Sequence, residues 1–81
     1  MKYVIEVAGW YGAIAIIVAY ALNSFGLLSS SDLLYQLLNL TGAAGIVIVS
    51  VKRRAYQPAV VNLVWLLVAI IAIGAIFLKT M

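Results

Sequence analysis

The 81-residue chain has no cysteine and no histidine. Disulfides, thiol nucleophiles, imidazole acid–base chemistry and the usual zinc or haem ligands are thereby excluded, and cysteine usage says nothing of the redox compartment. Acid is almost missing as well. Glu6 and Asp32 are the two carboxylates, and the spacing of the apolar runs sets them near opposite membrane faces, which argues against a paired-carboxylate site within one chain. No polar stretch is long enough for a soluble head that would bind nucleotide or nucleic acid. The serines fall in a loop or near a run's end, with no base beside them. An enzyme is therefore not expected, and neither are a catalytic residue, a metal site, a cofactor or a nucleic-acid partner.

What the chain does hold is apolar length. Hydrophobic residues make up 68% of it and the mean hydropathy is +1.24, outside the range of soluble globular chains. Three runs, Val4–Leu22, Leu33–Val51 and Ala59–Leu78, each approach the ~20 apolar residues that cross a bilayer at about 1.5 Å per residue. The spacing predicts an all-α membrane protein, a single three-span domain over 1–81, with helices at about 4–24, 32–52 and 58–79 and the lipid bilayer as its first partner. Ala19-Tyr20-Ala21 imitates a signal-peptidase site, but Glu6 and Trp10 early in the first run favour a retained helix.

The second run carries the most information, because it holds two side-chain amides, Gln36 and Asn39. An amide buried in hydrocarbon without a partner costs about 2–7 kcal/mol. At about 100° per residue, Asp32, Gln36, Asn39, Ala43 and Ser50 share one sector of the helix. This polar stripe must face a partner. Thr41-Gly42-Ala43-Ala44-Gly45 removes bulk just beyond it, as close helix packing in lipid requires. The first run has a stripe of its own along Tyr3, Glu6, Trp10, Ala13, Ile17, Tyr20 and Ser24, with Tyr3 and Tyr20 expected in an aromatic belt at the two interfaces and Trp10 deeper. On the third run Asn62 and Trp65 lie one turn apart. Gln36, Asn39, Asn62, Trp65 and Trp10 are thus candidates either for binding a solute or for interhelical polar contacts, the latter worth about 0.6–2 kcal/mol each. Gly26 is expected to end the first helix in the left-handed conformation, Asp32 to cap the second, and Pro58 to occupy the first turn of the third.

Gly9-Trp10, Tyr35-Gln36-Leu37-Leu38-Asn39-Leu40-Thr41-Gly42, Pro58 and Asn62-Leu63-Val64-Trp65 together resemble an uncharacterised family of small bacterial three-span membrane proteins, along nearly the whole chain. The layout is more loosely similar to SemiSWEETs, the half-transporters of the SWEET type. That likeness implies a SemiSWEET-like three-helix unit, a parallel homodimer, an outside C-terminus and Asn62 as a pocket residue. The Pro-Gln pair that hinges the first span there is absent from Val4–Leu22, and Gln57-Pro58 is reversed and in a loop.

Two functions lead, and a phage-type pore former is weaker for want of a highly charged segment after the third run. One is a homodimeric carrier or channel for a small neutral polar solute, since three helices are too few to enclose a ligand-sized cavity. The other is a structural or accessory subunit packed against a larger membrane complex. The resemblance implies a bacterial inner-membrane protein, and Lys52, Arg53 and Arg54, together with Lys2, predict a cytoplasmic N-terminus and an outside C-terminus. Cysteines introduced at Ser30 and Ala55 test this orientation. An impermeant maleimide on intact cells should label the first and not the second, and the reverse result inverts the topology.

Overall fold

The apolar runs form three α-helices in the structure, a computed structural model that describes residues 2–80. The side chain of Lys2, counted in the orientation argument, lies outside the described residues. Helix α1 spans Lys2–Ser24, α2 Leu33–Lys52 and α3 Tyr56–Thr80, close to the expected bounds. Their 23, 20 and 25 residues correspond to about 30–38 Å at 1.5 Å per residue. Each is long and apolar enough to cross a membrane, whose hydrocarbon core is about 30 Å thick.

Both interhelical turns use the same backbone device. Gly26 has φ 76°, its N–H donates to the Asn23 carbonyl at 3.1 Å, and the Leu27 N–H donates to the Leu22 carbonyl at 2.9 Å. At the end of α2, Arg54 has φ 58°, its N–H donates to Val51 at 3.1 Å, and the Ala55 N–H donates to Ser50 at 2.8 Å. These paired bonds are Schellman motifs, which return otherwise orphaned carbonyls to backbone donors. Asn23 adds a side-chain bond, its Nδ2 donating to the Leu28 carbonyl at 2.9 Å. Pro58 sits in the first turn of α3, where an N–H has no intrahelical acceptor.

Helix α2 is the central element. It packs against α1 on one side and α3 on the other, while α1 and α3 do not pack together among the described residues. Burial runs opposite to that of a water-soluble bundle. The buried apolar residues are all small, Ala15, Ala19, Ala43, Ala59 and Ala69 with Gly12, Gly42 and Gly45, joined by Gln36 and Ser50, and among the described residues no large side chain is fully buried. Large apolar residues point outward all along α3. Such a protein suits lipid as its solvent, since exposed Leu, Ile and Val cost nothing against hydrocarbon and association must come from close packing.

The α1–α2 seam shows how close. A Cβ on Gly12 would collide with the carbonyl oxygen of Gly42, and one on Gly45 with that of Ala8; at Gly9 it would stand 2.9 Å from Val49 Cγ1. Helix α1 therefore turns Ala8, Gly12, Ala15 and Ala19 toward α2. Tyr3, Trp10, Ile17 and Tyr20 are exposed. Bulk explains the difference, because aromatic side chains would hold the backbones apart where the glycines of α2 invite them together. Tyr11 Oη, 2.6 Å from Thr41 Oγ1, pins the same helix pair on another face. Thr41 already donates to the Leu37 carbonyl at 2.8 Å, so Tyr11 is the donor.

Gly12→Val and Gly45→Val should each destabilise the folded protein by at least the ~1–3 kcal/mol typical of overpacking, because backbone cannot yield as a side chain does. Gly74→Ala, with nothing within 4 Å of the added carbon, should be neutral or stabilising by about 0.5–1 kcal/mol. Unfolding in detergent, followed by circular dichroism, separates the two; equal loss at Gly74 contradicts the seam.

Candidate functional site

Because the outer helices do not meet, one face of α2 is the floor of a groove between them. Its volume is about 660 Å³, within the range of about 300–1,000 Å³ of small-molecule sites. Tyr20 enters from α1, Tyr35, Gln36 and Asn39 from α2, and Asn62 and Trp65 from α3. Four of the five residues that the sequence singled out are therefore brought together. At about 1.5 Å per residue Asn39 lies about 9 Å from the serine-loop end and Asn62 about 9 Å from the opposite, basic end. The two asparagines are staggered along the groove.

None of the three amides bonds across helices. Asn39 Nδ2 donates to the Tyr35 carbonyl and Asn62 Nδ2 to the Pro58 carbonyl, each at 2.9 Å and four residues back on its own helix. Gln36, 8% exposed, donates from Nε2 to the Ser30 carbonyl at 2.6 Å and ties the serine loop to α2. Of the two roles open to them, interhelical contact and groove lining, the hydrogen bonds seen are local to their own segments. An Asn side chain reaches the carbonyl one turn back on its own helix, which satisfies a donor without a neighbour. Oδ1 of Asn39, Oδ1 of Asn62 and the Trp65 indole N–H make no hydrogen bond among the described residues, and all three residues line the groove.

Trp10 is the exception. It is 67% exposed and borders a second hollow of about 400 Å³, with Glu6, Ala13, Val49 and Arg53. Ile46 lies in the walls of both hollows. An ion pair between Glu6 and Arg53 stands at the basic end, so the N-terminal end of α1 and the α2–α3 loop occupy one end of the molecule, with Asp32 at the other. Lys52, Arg53 and Arg54 are all exposed there.

Asp32 occupies the position before α2 but does not cap it through its side chain. Its Oδ2 accepts the Ser29 N–H at 2.8 Å, while its own N–H donates to the Ser29 carbonyl at 2.9 Å. The carboxylate is turned back into the serine loop, where this reciprocal pair closes a tight turn and competes with the helix N–H groups for the same oxygen. The loop residues Ser29 and Ser30 and the Tyr11–Thr41 bond were not singled out from the sequence. Neither has a sequence signal beyond a polar residue within reach, which many pairings satisfy.

A protein-family model matches residues 5–80 of the chain. No curated protein and no solved structure matches it.

Arg54 holds a left-handed conformation that costs a non-glycine residue about 1–2 kcal/mol. Arg54→Gly should therefore raise stability by about 1 kcal/mol while removing one of the basic charges of the loop. Unfolding midpoints in detergent check this, and a fall in stability would mean that the guanidinium contributes more than the strain.

Proposed function

The chain belongs to the uncharacterised family whose model matches it, and from that premise we propose that it is a bacterial inner-membrane protein whose groove, completed by a second copy of the chain, binds and passes a small neutral polar solute. The observation that carries this reading is the state of the amides. Asn39 and Asn62 are hydrogen-bonded to their own helices and make no hydrogen bond to another helix, yet polar groups are costly in a membrane unless they face a partner, a cavity or a solute. Their oxygens, with the Trp65 indole, offer acceptors and a donor to a hydroxyl or amide. The groove is open along its length on one side, and a second copy would shield it from lipid.

In this arrangement the basic end is cytoplasmic. The described carboxylates are near the two ends, Glu6 paired with Arg53 and Asp32 in the serine loop. With no acid at mid-depth, proton coupling through the groove is not part of the proposal. The looser likeness to SemiSWEETs enters as an analogy for the dimer alone. A second reading, an accessory subunit, draws on the same open side and on the outward apolar surface of α3, which a larger membrane partner could cover.

Asn39→Leu and Asn62→Leu, reconstituted in liposomes, distinguish the two. The variants should keep the wild-type oligomeric state while urea or glycerol flux falls by roughly an order of magnitude or more, as happens when a site loses its hydrogen-bond partner. Wild-type liposomes without flux, from a protein that retains a different subunit through purification, would favour the accessory role.

A further inference from the structure

We propose that Ile46 is the gate of the solute path, the apolar side chain that a solute must pass between the amide groove and the hollow lined by Glu6 and Arg53. The proposal rests on the reading of the groove as a solute site. The two hollows are separate volumes of about 660 and 400 Å³, and Ile46 is the residue common to their walls. Polar groups stand on both sides of it: Asn39, Asn62 and Trp65 on one, Glu6, Trp10 and Arg53 on the other. Counted along their helices, Ile46 and Asn62 both lie about 9 Å from the basic end. Asn62 is therefore the amide level with the constriction.

The seam places this side chain. A Cβ on Gly12 would lie 3.0 Å from Ile46 Cγ1, so the absence of a side chain at Gly12 is what lets Ile46 lie against α1, half-buried. Rotation of Ile46 toward or away from Gly12 would narrow or widen the passage without moving a helix. Apolar constrictions of this kind gate by excluding water, since a polar solute must give up its hydration to pass. The amide groove on one side and the ion pair on the other would take up the solute's hydrogen bonds once the constriction is crossed.

The test is a size series at this position, Ile46→Phe, Ile46→Val and Ile46→Ala, in proteoliposomes under urea and glycerol gradients, with stopped-flow light scattering as the readout. Ile48→Ala, an exposed position on the same helix, is the control. Permeability should rise in the order Phe, Ile, Val, Ala, several-fold in total, and Ile48→Ala should match the wild type. In a Trp10→Phe background, acrylamide quenching of Trp65 reports access to the groove and should be the same across the series. Circular dichroism checks that each variant is folded. If the wild type conducts and the series does not differ from it, the gate is wrong and the solute reading stands. If the wild type and Ile46→Ala are both silent, the solute reading fails and takes the gate with it. A loss of Trp65 quenching that tracks the loss of flux would show that residue 46 shapes the groove itself, which also overturns the gate.

Discussion

The close approach of α1 and α2 is the contact on which the rest depends. In lipid there is no hydrophobic gain from pressing one apolar helix against another, so association relies on backbones near enough for dense van der Waals packing. Gly12, Gly42 and Gly45 permit it, with carbonyl oxygens where a Cβ would otherwise be. Helix α3 meets α2 on a different side, with Ala59 and Ala69 buried. Two neighbours attached to separate sides of one helix leave a third side uncovered, and the groove is that side.

The polar groups follow from the same solvent. Each amide must be satisfied, and the nearest acceptor is a backbone carbonyl of its own segment: Tyr35 for Asn39, Pro58 for Asn62, Ser30 for Gln36. Local bonding fixes the side chains in place while leaving oxygens available in the groove. Interhelical bonding would have spent those atoms on assembly. Among the described residues, the polar links from α1, Tyr11 to Thr41 of α2 and Glu6 to Arg53 just beyond its end, lie outside the amide groove. Holding the helices together and lining the groove are thus assigned to different side chains.

The two turns show a competing demand. Both need a residue with positive φ for the same pair of backbone bonds, and Gly26 supplies it at no steric cost. Arg54 supplies it at a cost of about 1–2 kcal/mol. A glycine there would remove charge from the end of the molecule that already holds Lys52 and Arg53. Charge close to a span's end biases insertion, a role in which a strained arginine is preferable to a relaxed glycine.

Length and hydropathy alone determined the three helices, because roughly 20 apolar residues in a row have few alternatives in a bilayer. The left-handed turn at Gly26, the placement of Pro58 and the inward face of Gln36, Ala43 and Ser50 were also legible, each from local steric or polar chemistry. On α1 two stripes repeat at the same helical spacing, the aromatic one through Trp10 and the small one of Ala8, Gly12, Ala15 and Ala19; which of them meets α2 is decided by the small residues of that helix. Likewise no spacing rule shows that Asp32 turns back to Ser29, or that Asn39 and Asn62 bond their own helices. A side chain's choice among several acceptors depends on which of them remain within about 3 Å once the helices have packed, and only the tertiary structure decides that.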